Sequence, residues 1–179
     1  NSNPDMAIAE PHEEVVEEYE HIAKLICTPP LAIKTVCKKV VSTIEYNVPL
    51  IDIIEYGYKS GFSNIPIFKN GMLIGVANGQ KILDVLGKKI YEKRDIMEYM
   101  KNTTIEEVLR EFSNENYYTI ASENITLDKV LNLFTENRKL LVVLITKTGT
   151  LLEPPVGIIT ISDIMDINKI LDNYSNDNQ

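Results

Sequence analysis

A threonine, a serine and an aspartate follow a short apolar run near the end of the chain. Residues 157–163 read Gly-Ile-Ile-Thr-Ile-Ser-Asp, so the Thr160 hydroxyl precedes the Asp163 carboxylate by three positions. If the apolar run is a strand and a helix begins at Ser162 or Asp163, the free backbone amides of that helix start favour a phosphate. The carboxylate can accept hydrogen bonds from two vicinal ribose hydroxyls, and the Thr160 and Ser162 hydroxyls can donate to phosphate oxygens. The segment therefore predicts recognition of a ribose and a phosphate, with no bond made or broken.

The same residues also have an ordinary structural interpretation. Serine or threonine followed by aspartate is a common helix cap, and a match this short often arises by chance. Three features favour a ligand: the apolar run before the motif, the apolar helix face after it, and an imperfect second copy of the whole unit. The matching segments are 47–50 with 124–127 and 75–77 with 157–159.

Composition and charge exclude several classes of function. The chain has 179 residues, 44% of them hydrophobic, which is a globular value. Its net charge of −8 argues against binding nucleic acid or an anionic membrane, because both need a positive surface. The sequence contains no apolar run of membrane-spanning length and begins without the features of a secretory signal. We expect a cytoplasmic protein, or a soluble part of a larger one, that does not insert into membranes.

Catalytic and metal-binding side chains are sparse. Cys27 and Cys37 are ten residues apart and match neither a disulfide framework nor a zinc motif. The two histidines, His12 and His21, lie near the start of the chain, where they are expected to be exposed on a helix. The remaining chain therefore lacks a Ser/His or Cys/His pair. We expect no enzyme activity, no metal site and no catalytic cofactor.

The predicted elements form two similar units after an N-terminal segment. Residues 1–30 hold an amphipathic helix with an acidic outer face, which must pack on the following domain or on a partner chain. The first unit, 31–95, reads strand, helix, strand, strand, helix, and a charged helix over 88–99 leads to the second unit, 96–173. Thr103 with Glu106 matches a capping box at the start of that unit. The polar tail, 174–179, is expected to be disordered. The predicted strands and helices of the first unit are 39–44, 49–60, 64–68, 72–77 and 79–86.

This tandem arrangement, with its Gly-h-h-Thr-x-x-Asp segment, resembles the cystathionine β-synthase (CBS) domain family, whose domains pair as a Bateman module. The segment Gly-Phe-Ser-Asn-Ile-Pro-Ile at 61–67 fits the central part of the family pattern, and the resemblance covers about residues 31–173. It implies an α/β (α+β) fold with two β-α-β-β-α repeats around a pseudo-twofold axis. It also implies a disc-like homodimer and a ligand such as AMP, ADP, ATP, S-adenosylmethionine or cyclic di-AMP, although some members bind nothing known.

The resemblance also implies a set of site residues. In the family, each cleft joins the Thr-x-x-Asp segment of one repeat to the first strand and the pre-strand segment of the other. Phe62 and neighbouring aliphatic side chains would then offer an adenine a flat apolar slot. Arg138 and Lys139 are candidates for binding phosphate, although solvated charge at a helix end explains them equally well. The residues implied to bind the ligand are Ile158, Thr160, Ser162 and Asp163, facing Val40, Ser42, Phe62 and Ser63.

The first repeat departs from the family pattern. Asn78 stands where the hydroxyl belongs, and Lys81 stands where the carboxylate belongs. A lysine cannot accept hydrogen bonds from ribose hydroxyls. The corresponding cleft is therefore either empty or used differently, for instance with Lys81 contacting a phosphate. One nucleotide per chain is the prediction.

Two functional hypotheses remain from the sequence. In the first, the protein senses an adenosine nucleotide, AMP, ADP or ATP, and regulates an unknown partner protein by shifting how domains or chains pack. In the second, its sites have lost their ligand and the pair serves only for dimerisation or docking. An Asp163→Ala variant should lose nucleotide binding under the first hypothesis and behave as wild type under the second.

Overall fold

The computed structural model describes residues 13–27, 29–37, 42–112 and 116–176. The predicted fold class is confirmed: the protein is a mixed α/β structure in which the order strand, helix, strand, strand, helix occurs twice. The elements are α1 (Glu13–Cys27), α2 (Ala32–Thr35), β1 (Ile44–Glu45), α3 (Leu50–Ser60), β2 (Asn64–Lys69), β3 (Met72–Asn78), α4 (Gly79–Tyr91), α5 (Ile96–Asn102), α6 (Ile105–Glu111), β4 (Tyr118–Ser122), α7 (Leu127–Glu136), β5 (Val142–Thr146), β6 (Gly157–Thr160), a 3-10 turn (Ile161–Asp163) and α8 (Ile164–Asn176).

Each repeat contains one three-stranded sheet, in the order β1-β2-β3 or β4-β5-β6. In both sheets the first strand is parallel to the second, and the second is antiparallel to the third. Asn70 and Gly71 join β2 to β3 with φ angles of 52° and 78°. A two-residue hairpin turn with positive φ at both positions favours this Asn-Gly pair. Because of this strand order, β3 and β6, which carry the two copies of the motif, lie at the edges of their sheets.

Strand β5 divides its side chains between two hydrophobic cores. Val142 and Leu144 belong to the first core, while Val143 and Ile145 belong to the second. This alternation follows from the two-residue period of a strand, which points successive side chains to opposite faces. The first core also contains the apolar residues of β2 and β3. The two sheets therefore share the first core, and helices α7 and α8 cover the other face of the second sheet.

The two repeats exchange the helices that lead into them. Ala32 of α2, which precedes the first repeat, is fully buried in the second core, and its N–H donates to the Ile125 carbonyl at 3.0 Å. Ile105 of α6, which precedes the second repeat, is fully buried in the first core, and its N–H donates to the Val48 carbonyl at 2.9 Å. Each repeat therefore completes its core with a helix that leads into the other repeat.

The charged segment after α4 differs from the prediction. A single helix over 88–99 is wrong, because α4 ends at Tyr91 and α5 begins at Ile96. Between them Lys93 has a left-handed φ of 57°. The Asp95 side chain then caps α5 by accepting the Glu98 N–H at 3.0 Å. Backbone conformation, which the charge pattern does not reveal, breaks the helix.

The predicted capping box forms one residue later than expected. Thr103 closes α5, because its N–H donates to the Tyr99 carbonyl at 3.0 Å. The next residue, Thr104, caps α6 together with Glu107, and each side chain accepts from the other's backbone N–H. The prediction at Thr103 and Glu106 is therefore wrong in register, although a capping box does begin the helix.

Two further differences concern the ends of elements. The predicted strand over 39–44 is observed only at Ile44–Glu45; positions 42 and 43 precede it, and 39–41 lie outside the described residues. Helix α8 continues to Asn176, so the predicted disorder is wrong for 174–176, while 177–179 lie outside the described residues. The N-terminal helix forms as predicted, with Tyr19 70% exposed and Ile22 43% exposed.

The cap of α6 predicts a loss of stability in acid. The hydrogen bond from the Thr104 N–H, followed by that from its hydroxyl, lowers the pKa of the Glu107 carboxyl below its ordinary value. A lowered pKa in the folded state stabilises the protein above the unfolded carboxyl pKa of about 4.3, and this contribution disappears as pH falls through the folded pKa. We expect the melting temperature of wild type to fall more steeply below about pH 4.3 than that of Glu107→Gln, which keeps an acceptor but does not titrate. Parallel melting curves for the two proteins over this pH range would contradict the assignment.

Candidate functional site

A pocket of about 590 Å³ opens between the two repeats. This volume lies within the range of small-molecule sites. No charged side chain is found among the residues of the described chain that line it. The lining residues are Ser42, Gly61, Phe62, Ser63, Asn64, Ile65, Asn78 and Gln80 from the first repeat, and Leu141, Ile158, Thr160, Ile161 and Ser162 from the second.

A helix end places Phe62 at the rim of this pocket. Helix α3 ends at Ser60, and the next residue, Gly61, has the left-handed φ of 73° that is typical of glycine after a helix. Gly57 allows the returning chain to approach, because a Cβ at that position would lie only 3.0 Å from the Phe62 carbonyl oxygen. The Phe62 ring is 44% exposed and lies 6.5 Å from the Tyr56 ring. The pocket thus has a partly exposed aromatic face on which a planar ring could stack.

On the opposite wall, β6 ends in a closed set of hydrogen bonds. The Thr160 N–H and hydroxyl both donate to Oδ2 of Asp163, at 2.7 and 2.8 Å. The Thr160 and Ser162 hydroxyl oxygens are 2.7 Å apart. Because Thr160 has a single hydroxyl proton, which goes to Asp163, Ser162 supplies the proton of this second bond. Asp163 is only 5% exposed, so its carboxylate lies behind Thr160 and serves as a helix cap.

The outer edge of β6 presents backbone groups beside the pocket. The Ile161 N–H donates to the Leu141 carbonyl at 3.1 Å, which fixes the hydrogen-bonded positions of the β5–β6 pair. By the alternation of an antiparallel ladder, the Ile158 N–H and carbonyl then point away from β5. The Cys37 thiol lies 3.8 Å from the Ile158 carbonyl oxygen. Burial, the largest cause, raises the pKa of this thiol to about 11, so Cys37 is neutral at physiological pH.

The structure brings most of the predicted ligand-binding residues together. Asp163 is the exception among those described, since it lies behind the pocket wall, and Val40 lies outside the described residues. Seven further lining residues were not predicted, and strand pairing could have found some of them, since Asn78 lies opposite Asn64 and Ile161 binds Leu141. The predicted residues in the lining are Ser42, Phe62, Ser63, Ile158, Thr160 and Ser162, and the missed ones are Gly61, Asn64, Ile65, Asn78, Gln80, Leu141 and Ile161.

The three cations predicted as phosphate candidates do not line the pocket. Arg138 and Lys139 are exposed after the end of α7. Their segment is held by Asn137, whose side chain donates to the Asn116 carbonyl at 2.7 Å and accepts the Lys139 N–H at 3.0 Å. The Lys81 ammonium lies 5.6 Å from the centre of the Tyr117 ring.

The first copy of the motif also acts as a helix cap. Oδ1 of Asn78 accepts the Lys81 N–H at 3.1 Å, and Nδ2 of Asn78 donates to the Asn64 side chain at 2.6 Å. Asn78 therefore begins α4 much as Thr160 and Asp163 begin the helix in the second repeat. No carboxylate is present at the fourth position of this copy, because Lys81 occupies it.

The described part of the chain shows neither a cluster of metal-ligating side chains nor a membrane-spanning helix. Within 13–27, 29–37, 42–112 and 116–176, no group of three or more histidine, cysteine, aspartate or glutamate residues could hold a metal ion. In the same part of the chain, no helix has both the length and the apolar character needed to cross a bilayer.

A family model and several solved structures match this chain. The model of the CBS domain matches residues 118–169. The CBS domain of a membrane protein from Sphaerobacter thermophilus is 15% identical with a TM-score of 0.62, and the match covers 86% of this chain and 97% of that one. No curated protein sequence matches the chain.

Two of the matching structures contain ligands. The CBS domain of a bacterial CNNM/CorC family Mg2+ transporter in complex with ATP has a TM-score of 0.57 at 17% identity, covering 86% of this chain and 96% of that one. A CBS domain pair in complex with 5′-methylthioadenosine and S-adenosyl-L-methionine has a TM-score of 0.55 at 20% identity, covering 79% and 97%. At identities of 15% to 20%, the similarity to these structures shows the fold of the chain and nothing about its ligand.

Proposed function

Because residues 118–169 are a CBS domain and the chain has the fold of a tandem CBS domain pair, we propose that it is a regulatory module that binds an adenosine-containing nucleotide. The observation that carries this proposal is the pocket between the repeats. It combines residues about 100 positions apart in the sequence, from Ser42 and Phe62 to Thr160 and Ser162. The similar structures with ATP, 5′-methylthioadenosine and S-adenosyl-L-methionine support an adenosine ligand, since adenosine is the part that these compounds share.

The adenine would lie between Phe62 and the outer edge of β6. Ile65, Leu141 and Ile158 give this part of the pocket an apolar surface. The Ile158 carbonyl and N–H can accept from and donate to the edge of an adenine, which carries both a donor and an acceptor. Apolar surface with a few placed backbone groups is the usual composition of a small-molecule site.

The ribose would be bound by Thr160 and Asp163, and the Ser162 hydroxyl would donate to a phosphate oxygen. In the present arrangement the Thr160 hydroxyl receives its second bond from Ser162. A ribose hydroxyl can take the place of Ser162 in that bond, while a vicinal hydroxyl donates to the Asp163 carboxylate. The hydrogen bonds that now cap the helix would then be extended to the ligand.

The phosphates of AMP, ADP or ATP would need positive charge. The residues of the described chain that line the pocket are uncharged, so the cations must come from nearby segments. Arg138 and Lys139 lie three and two residues before Leu141, which lines the pocket, and both are exposed. We propose these two residues, with Lys81 as a further candidate.

Regulation would act through the packing of the two repeats. Phe62 and Ser63 lie on one side of the pocket, and Thr160 and Ser162 lie on the other, so a ligand held by both sides favours one relative arrangement. We propose that the module is not catalytic and that it transmits the change to a partner protein. We also propose that the protein is cytoplasmic and that it forms a homodimer. The homodimer is supported by helix α4, which exposes apolar side chains such as Leu83 and Ile90, each 61% exposed.

A thermal-shift screen tests the proposal directly. A ligand that binds only the folded state raises the melting temperature, so AMP, ADP, ATP, S-adenosylmethionine, 5′-methylthioadenosine and cyclic di-AMP are compared on the full chain. For the compound that binds, Phe62→Ala should raise Kd by about 5- to 150-fold, because base stacking on an aromatic side chain contributes roughly 1–3 kcal/mol.

The matched control for Phe62 is Tyr58→Ala. Tyr58 belongs to α3 and is 89% exposed, but it does not line the pocket. Equal weakening by both variants would place the ligand elsewhere. If no compound raises the melting temperature, the chain is a ligand-free CBS pair that serves for dimerisation or docking. This alternative is favoured by the fact that both motif copies act as helix caps.

A further inference from the structure

The two repeats can be superposed residue by residue through their strand register. Ile44 pairs with Ile67, and Ala121 pairs with Ile145, in the two parallel ladders. Ile67 and Ile145 each lie opposite the glycine that begins the Gly-h-h motif, so Ile44 and Ala121 are counterparts. Counting back four residues from each makes Tyr117 the counterpart of position 40. In sequence register, Tyr117 therefore corresponds to Val40, which lies outside the described residues.

The Tyr117 hydroxyl binds the outer edge of β3. It donates to the Val76 carbonyl at 2.8 Å, and the Val76 N–H lies 3.4 Å from the same oxygen in donating geometry. The Gly79 N–H donates to the Ser63 carbonyl at 2.8 Å, so by alternation the Val76 N–H and carbonyl point away from β2. The Val76 N–H and carbonyl correspond to the N–H and carbonyl of Ile158, which lines the pocket between the repeats. One phenol hydroxyl thus satisfies both backbone groups, as donor and acceptor.

The Tyr117 ring is buried beside the edge of β3 and packs against other aromatic rings. Tyr117 is 6% exposed, and its ring meets the Phe112 and Tyr118 rings edge-on at 5.9 and 5.1 Å. The Lys81 ammonium lies 5.6 Å from its centre, within the range of a cation–π contact. Lys81 is the residue that replaces the aspartate of the intact motif. The cation of the altered motif therefore faces an aromatic ring of the protein itself.

We propose that Tyr117 is a built-in occupant of the first-repeat cleft. Its ring and hydroxyl cover the edge of β3 at Val76, whose counterpart at Ile158 lines the pocket and accepts from the Cys37 thiol at 3.8 Å. The module consequently has one closed cleft and one open cleft, and it binds one ligand per chain. Only this last statement rests on the proposed function; the occupancy of the first cleft by Tyr117 does not.

The first test empties the cleft and offers a replacement. In Tyr117→Ala, phenol at several times its Kd should raise the melting temperature by about 2–4 °C, and toluene should raise it less, because toluene lacks the hydroxyl. Wild type should respond to neither compound. Phe112→Ala is the control, since it removes a neighbouring buried ring with no hydroxyl, and there phenol should have no advantage over toluene. An equal response of Tyr117→Ala to both compounds, or no response, overturns the proposal.

A second test does not depend on the folding of the alanine variant. Tyr117→Phe keeps the ring and removes only the hydroxyl. Hydrogen exchange of the Val76 amide should then accelerate about tenfold relative to that of Ala77, whose N–H lies in the β2–β3 ladder. An unchanged ratio of the two rates overturns the proposal. A failure to bind any nucleotide would refute the proposed function and leave the phenol and exchange results intact.

Discussion

Replacing Asp163 by asparagine is expected to raise the Kd for the adenosine ligand by about 10-fold, because the hydrogen bond that a ribose hydroxyl donates to the carboxylate becomes a bond to a neutral group. Asparagine is a better replacement than alanine because it can keep the hydrogen bonds that cap the helix. Oδ2 of Asp163 accepts both the N–H and the hydroxyl of Thr160, and an asparagine oxygen can accept the same two bonds. The helix start should therefore survive, and isothermal titration should report the loss of the ribose contact.

The matched control is Glu107→Gln. Glu107 forms an equivalent capping box with Thr104 at the start of α6, where its carboxylate accepts both the N–H and the hydroxyl at 2.8 Å. Neither residue lines the pocket. Glu107→Gln should leave Kd unchanged and lower the melting temperature about as much as Asp163→Asn does. If Asp163→Asn binds like wild type, Asp163 is a cap alone and the ligand-free interpretation gains support.

Replacing Ile105 by alanine is expected to lower the free energy of unfolding by about 2–5 kcal/mol, the range for truncating a large buried aliphatic side chain. Ile105 is fully buried in the first core, although its helix leads into the second repeat. The variant thus removes a contact that joins the two repeats. Urea denaturation followed by circular dichroism measures the change, with the m value showing whether unfolding stays a single transition.

Met97→Ala provides the surface control for this measurement. Met97 lies on the adjacent helix α5 and is 52% exposed, so its truncation should change stability by about 0.5 kcal/mol or less. A similarly small effect of Ile105→Ala would mean that α6 does not complete the first core. A second transition in the Ile105→Ala curve would show that the exchanged helix is what makes the two repeats unfold together.

Local sequence signals predicted the elements where one residue type determines the backbone. The strand predicted at 64–68 is observed at Asn64–Lys69, and the turn after it has Asn70-Gly71, a pair that suits the positive φ angles found there. The predicted register failed where two helices meet end to end. Thr103 and Thr104 are both threonines followed three residues later by glutamate, and only the hydrogen bond from Thr103 to Tyr99 assigns one to the end of α5 and the other to the start of α6.

The sequence by itself determined the repeated strand-helix-strand-strand-helix order, the intact motif at Thr160 and Asp163 and its altered copy at Asn78 and Lys81, because each is a property of neighbouring residues. Tertiary structure alone decided that α2 and α6 are exchanged between the repeats, since both cores present similar apolar surfaces to similar helices. It also decided that Tyr117 reaches Val76, a contact between residues 41 positions apart. Such contacts depend on how the repeats pack against each other, and no local pattern of residues encodes that packing.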